Sequence, residues 1–458
     1  NVDISRPGKL QKAYGFAQIG SGVGSGANRG VYAWNKENGD NELYQVYGSD
    51  LYKYLGSASG FSSVGSGFGT GTGPVEWGVS FINTGTGVGT GADTFKERLY
   101  ITQGIEGEVK YTDGTNMGTL ANTYAKHLEV YKGRLYLGNV KTNTETYPSR
   151  VIFSDVSKDN FPANNYFDDM GEAIVGLKEY SGALFVFTQN KVAAWDEYSL
   201  RVINTNGGTS NKETVQVTEG KMLWYNRGGV YMYAGGTEGT LISRAVEDWL
   251  SVVVDANSVT GGLDSRGRYC LYIGNVTYET VAYKNVILRY DVLLNAWDVL
   301  INRPYKYWTR NKAGGVYEVY TTNPDGQEVW QIDLGYALNG SAQESVYQTP
   351  KLYGSPENVE DIKNAYEVQV VSKPSNASGE YLTAQYRIGG TGNWSKIEGS
   401  TNNVSLAGTD EIKVERLILP PKAAGKFVEL KLSHSSSGAG FSIYGLNLVY
   451  DVEAKEDH

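Results

Sequence analysis

One phrase recurs along this chain, a turn followed by a short apolar-aromatic strand. It reads KERLYITQG from Lys96, KGRLYLGNV from Lys132, SGALFVFTQ from Ser181, RGGVYMYAG from Arg227, RGRYCLYIG from Arg266 and AGGVYEVYT from Ala313. A weaker copy, GSDLYKYLG, starts at Gly48. The copies begin about 36 to 49 residues apart, a period that belongs to propellers and other repeat arrays. Several are followed by a strand ending in an apolar or aromatic residue and an aspartate: Trp195–Asp196, Tyr290–Asp291 and Ile332–Asp333. Each unit therefore reads as a four-stranded antiparallel blade. A lone blade leaves its apolar faces wet, whereas blades stacked around an axis bury them and expose only short edges. The pattern predicts an all-β chain, with a β-propeller of six or seven blades over residues 1–340.

Composition agrees with many strands and turns. The 458 residues include 58 Gly and 35 Tyr against 12 Phe, and aromatics favour pleated, half-buried surfaces while glycine favours tight turns. Near residue 340 the text becomes polar, with Pro350 and Pro356, and reads as a linker or crossover over 341–360. Beyond it, 361–458 reads as a small β-sandwich. Leu382, Ala384, Tyr386 and Ile388 alternate, as do Val428, Leu430 and Leu432. Phe441 and Ile443 alternate too, and a phase shift at Gly445 to Leu446, Leu448 and Tyr450 predicts a bulge. One segment breaks the strand pattern: Ile242, Ala245, Val246, Trp249, Leu250 and Val253 follow helical spacing, with Thr240 as its N-cap. It reads as an amphipathic helix packed on a blade, or more sharply as a contact element for a partner.

A net charge of −9 argues against a basic face that grips nucleic acid. The single cysteine, Cys270, lies in the run RYCLYIG and reads as a buried core thiol. Three histidines, His127, His434 and His458, leave little for a multi-histidine metal site. No apolar stretch is long enough for a membrane helix, and NVDISRPGKLQK lacks the apolar core of a secretory signal. The glycine-rich tracts at 20–30 and 56–91 match GxG patterns, but no Lys-Ser/Thr pair or helix pattern follows. They read as surface loops that could order against a neighbouring subunit.

Acidic residues are the remaining chemistry. Asp155 and Asp159 in SRVIFSDVSKDNF lack the alternate spacing and central glycine of a calcium loop, so Asp155 and Ser157 read as turn hydrogen-bonders. Asp168 and Asp169, with Glu172 nearby, could act as paired carboxylates on a glycosidase, but read better as a solvated loop. His127 has no GxSxG elbow to form a triad with. No catalytic, cofactor-binding or metal-binding residue is assigned, and no cofactor is expected.

The stretch KGRLYLGNV, followed by YPSRVIFSDVSKDNF, resembles a phrase in tailed-bacteriophage structural proteins that bear propellers, the tail-nozzle and packaged-DNA stabilisation (head-completion) family. The matching positions are Arg134, Leu135, Tyr136 and Gly138, then Pro148, Arg150, Val151, Phe153, Ser154, Asp155, Asp159 and Phe161. NVDISRPGKLQKAYGF resembles the segment that precedes the first blade there. The Ile242–Trp249 segment resembles the family's mid-propeller helix, and YRIGGTGNW its C-terminal sandwich. The glycine-rich tracts and the short chain depart from the larger nozzle proteins.

The resemblance implies a non-enzymatic virion component, assembled in the host cytoplasm and sited at the tail nozzle or head–tail junction. It would form a ring of copies, contact other tail or neck proteins and lie close to genomic DNA without inserting in a membrane. The alternatives are a receptor- or glycan-binding propeller at a tail tip, fibre or capsid, with aromatic faces that stack on sugars, and the glycosidase above.

Overall fold

The computed structural model describes the chain except residues 1, 7–8, 21–24, 70, 86–93, 204–206, 228, 314, 354–362, 374–379, 390–392, 398–402, 408–410, 421–423 and 453–458. The loop expectation for parts of both glycine-rich tracts, and His458, lie outside the described residues. Two compact units emerge, 18–332 and a second made of 1–17 with 333–458.

The first unit is a seven-bladed propeller. Among the described residues it has five four-stranded sheets and one seven-stranded sheet. The larger sheet is two blades joined through one 15-residue strand, Met117–Tyr131. Its first part pairs with Gly104–Thr112 of blade two, and its second part with Arg134–Lys141 of blade three. Asn122, at φ 55°, stands between the two parts. A short polar side chain tolerates that left-handed conformation where a branched one does not.

The innermost strands of blades one to seven are Asn28–Asn35, Glu76–Asn83, the second part of Met117–Tyr131, Gly176–Tyr180, Gln216–Thr218, Thr260–Leu263 and Trp308–Ala313. Sheet faces pack on sheet faces around the ring. Val46, Leu51, Leu99 and Ile101 form the core between blades one and two. Tyr100, Leu128, Leu135 and Leu137 fill the next, and Tyr136, Val151, Leu177 and Leu184 the one after. Phe187 and Trp224 join blades four and five, and Leu223, Tyr269 and Leu271 join five and six. Between six and seven, Trp308 lies so close on Gly262 that a Cβ there would stand 2.1 Å from the ring.

The ring closes where blade seven meets blade one. Val31, Leu43, Tyr307 and Val329 share a core, and the Ala33 amide donates to Thr309 Oγ1 at 2.8 Å. Gly15–Gly20 supplies the fourth strand of blade seven, so the last blade is completed from the other end of the chain.

The repeated phrase marks the second strand in blades two, three, four, six and seven. In blades one and five it marks the third strand, Asp50–Tyr54 and Gly229–Tyr233. The second strands there are Asn41–Tyr47 and Lys221–Asn226. Blade one, the weakest in sequence, is a full blade.

The expected helix is shorter than its periodicity. Thr240–Leu241 is a short strand paired with blade five. A 3-10 turn follows at Arg244–Val246, and the α-helix is only Glu247–Ser251. Thr240 is no cap, and the β-branched run Val252–Val254 disfavours continuation. The segment packs on blade six, where Trp249 stacks on Tyr278 at 4.5 Å. Cys270 is buried.

The second unit is the expected sandwich with different boundaries. One sheet runs Val2–Arg6, Lys9–Lys12, Ser442–Val452, Lys363–Lys373 and Lys413–Ile418, with Ala424–Gly425 on its edge. The other is built on Gln343–Gln348, Val428–Ser436 and Tyr381–Ile388. Val2–Arg6 and Lys9–Lys12 thus pair in a sheet of the C-terminal unit rather than in a blade, and 341–360 is not all linker. Gln343–Gln348 reads as polar because Gln343 and Ser345 are the buried residues of that strand, with Gln343 Nε2 donating to Ala13 O. Leu382, Ala384, Val428, Leu430, Leu432, Phe441 and Ile443 form the core. Pairing shifts between Val371 opposite Gly445 and Ser372 opposite Ile443, the bulge expected at Gly445.

Candidate functional site

The inner strands surround a cavity of about 360 Å³. Its lining includes Tyr32 of blade one, Glu76 and Trp77 of blade two, Glu129 of blade three and Lys178 of blade four. Lys212 and Glu213, from the 3-10 turn Lys212–Thr214 that enters blade five, complete it with Tyr307 and Trp308 of blade seven. Asn211 starts that turn, its side chain accepting from the Glu213 amide. Asn211 Nδ2 also donates to Val259 O beside blade six. Lys212 reaches from blade five to blade two, across the axis, so the turn partly fills the channel.

A buried charge cluster holds it there. Lys212 Nζ donates to Glu76 Oε2 at 2.6 Å and to Leu128 O at 2.7 Å. His127 Nδ1 lies 2.6 Å from Glu76 Oε1, and the Leu128 amide donates to Glu76 Oε2 at 2.8 Å. Burial pushes the Glu76 carboxyl up, but Lys212 and His127 outweigh it and hold the group at about 2. Burial lowers His127 below its ordinary value despite Glu76. A neutral ring donating Nδ1–H to the carboxylate satisfies both observations, leaving the ammonium of Lys212 as the countercharge. Burial also works against that ammonium, yet Glu76 and Glu129 raise its pKa. His127 Nε2 is buried with no hydrogen-bond partner.

Glu213 differs. Burial, and then the charge of Glu76, push its carboxyl up to about 7 against Lys212 and Lys178. Three carboxylates (Glu76, Glu129, Glu213) face two ammonium groups (Lys178, Lys212), so the ionised cavity carries one net negative charge. This constellation was not legible in the sequence, because Lys212 and Glu76 lie 136 residues apart. The available signal was local: an acid at Glu76 amid the apolar, small-residue text PVEWGVS.

Of the residues weighed from sequence, His127 belongs to this cluster, whereas the acidic candidates lie elsewhere. Asp155 accepts from Asn160 and Asn165 Nδ2, as a turn residue does. Ser157 contributes its backbone, at φ 53°, with its amide donating to Gly133 O. Asp159 pairs with Arg98 Nη1 at 2.6 Å and accepts from Tyr100 Oη at 3.2 Å. Asp168 pairs with Arg150, whereas Glu172 binds Thr188 and lies near Lys191. That acidic cluster is therefore divided between different partners. In the second unit His434 Nδ1 faces the buried Lys12 Nζ at 3.4 Å, and its Nε2 faces Glu380 at 3.2 Å.

No protein-family model and no curated protein matches the chain. Among solved structures, the WD40 β-propeller domain of Doa1 is similar at 10% identity and a TM-score of 0.40, covering 70% of this chain and 97% of that one. The extracellular domain of a protein described as a hybrid two-component system of B. thetaiotaomicron is similar at 10% identity and 0.43, covering 85% of this chain and 47% of that one. The propeller assignment rests on the strand order and the closed ring of blade cores, not on these scores. Among the described residues, no helix is long and apolar enough to cross a membrane.

Proposed function

We propose that this chain is a structural, non-enzymatic component of a tailed-phage virion. In this reading it sits at the tail nozzle or head–tail junction, assembled in the host cytoplasm. Copies in a ring guide or retain DNA and attach other tail proteins. The observation that supports it is how the residues that carry the resemblance are used. Arg134 Nη1 donates to Ser154 O, and Ser154 Oγ accepts from the Leu135 amide, pinning one strand of blade three to the next. Asp159 ties the turn to Arg98 and Tyr100 of blade two. Arg150 lies between the Tyr147 and Tyr166 rings, 4.0 and 4.3 Å from their centroids. The motif thus encodes joints between strands and blades, as a motif of architecture would.

A net charge of −9 suits a wall past which DNA slides. Because Lys212–Thr214 partly fills the propeller's own channel, the passage for DNA in this reading is the space between copies. Immunogold electron microscopy of phage particles from the source culture, with antibody to this chain, tests the proposal. Gold at the neck or tail is expected. Gold scattered over the capsid would favour a decoration role, and particles without gold, intact or disrupted, would end the virion reading.

A further inference from the structure

The channel cavity has features that the virion reading leaves unused. The Glu76 carboxylate is bound by Lys212, His127 and the Leu128 amide, and Glu129 lies 3.6 Å from Lys178. The Glu213 carboxyl has no hydrogen bond or ion pair among the described residues, although it lines the same cavity. Aromatic residues share the rest of the lining with glycines and valines such as Gly30, Val75 and Val79. Tyr32 and Trp77 stack at 5.5 Å, and Tyr307 and Trp308 come from blade seven.

We propose that this cavity binds a small organic cation, an ammonium carried on methyl or short alkyl groups, with the Glu213 carboxylate as counterion and the Tyr32, Trp77, Tyr307 and Trp308 rings as walls. Three observations converge. An ionised cavity with one excess negative charge is neutralised by one monovalent cation, whereas an anion would double the imbalance. Aromatic faces attract an alkylammonium that has lost its water. At about 360 Å³ the cavity is at the small end of ligand sites and suits a compact head group.

The raised pKa of Glu213 agrees, since without a cation a proton takes that place. The charged and titratable groups acting on Glu213 or lining the cavity with it are Glu76, which carries His127, then Lys178, Lys212 and Tyr307, with Tyr32 and Glu129 in the same lining. Glu76 at about 2, His127 shifted down, and Lys212 and Tyr307 shifted up do not titrate between pH 7 and 8. Proton and cation then compete for one carboxylate.

The test is a choline titration of the full chain, followed by tryptophan emission and by calorimetry. The neutral isostere 3,3-dimethylbutan-1-ol serves as the control for shape. Saturable binding is expected, at least about tenfold weaker for the isostere and for Glu213→Gln. Affinity should fall about twofold from pH 8 to pH 7, as a group titrating at about 7 requires. No saturation by about 10 mM choline, equal binding of the isostere, or unchanged affinity in Glu213→Gln would each overturn the proposal. The isostere comparison uses the unaltered protein, so it decides the matter even if the variant folds poorly.

Discussion

Glu76 carries more of the channel's electrostatics than any other side chain there, because it answers Lys212, His127 and a backbone amide together. Removing its charge leaves a buried ammonium without its main partner. Glu76→Gln should therefore lower stability by about 3–5 kcal/mol, as broken buried pairs do, measured by urea unfolding at pH 7. The pH dependence has two opposite parts. The Glu76 pKa is depressed in the folded chain, so its contribution is complete above the unfolded carboxylate range and is lost as pH falls toward about 2. The Glu213 pKa is raised to about 7, so between the unfolded value and 7 the folded state holds the extra proton. Its stabilisation is present at low pH and is lost as pH rises through 7. Glu213→Gln should remove that loss and be about 1–2 kcal/mol more stable than the parent at pH 8, with the gain gone near pH 4. Denaturant midpoints of both proteins at the two pH values check this, and a gain that persists at pH 4 would contradict it.

At the scale of elements, the inner strands work because small residues let neighbours approach. Gly262 is the sharpest case, with Trp308 packed where a side chain would begin. Gly262→Ala should cost about 1–3 kcal/mol by overpacking, and a compensating Trp308→Leu should restore part of it, both read by thermal unfolding. Sequence legibility also divides at this scale. Second strands such as Arg134–Lys141 and Tyr269–Tyr278 are buried and aromatic, so their periodic text announces them. In blades one and five the third strand imitates that text, and periodicity alone cannot say which of two adjacent apolar strands is which. Met117–Tyr131 hides a blade boundary inside one strand, because the switch at Asn122 is conformational and not compositional. Gln343–Gln348 was concealed by the opposite effect, buried polar side chains whose partners are remote in sequence. The Glu76–His127–Lys212 cluster was hidden for the same reason, while the alternation around Leu382 and Leu430 marked the sandwich core openly.

At the scale of the whole molecule, what turns seven blades into one propeller is the junction of first and last. Among the described residues, four polar contacts support it besides the shared apolar core: Ala33 N to Thr309 Oγ1, Asn28 Nδ2 to Asn323 O at 3.3 Å and to Gly326 O at 2.6 Å, and Gln45 Nε2 to Gln327 O at 2.9 Å. That junction brings Tyr307 and Trp308 to the cavity that Tyr32 and Glu76 also line. Deleting residues 1–20 removes the fourth strand of blade seven and bares a sheet edge. The truncated chain should form larger and more heterogeneous aggregates than the full chain at the same micromolar concentration, seen by light scattering.

The closed ring is tested most directly by hydrogen exchange at the Ala33 amide. That amide points out of its own blade to the hydroxyl of Thr309, 276 residues away. In the parent protein it should be protected, and in Thr309→Val it should exchange about tenfold faster, with amides in blades three and four unchanged. An Ala33 amide that exchanges freely in the parent, or one whose protection ignores the loss of the Thr309 hydroxyl, would show that the first and last blades do not meet.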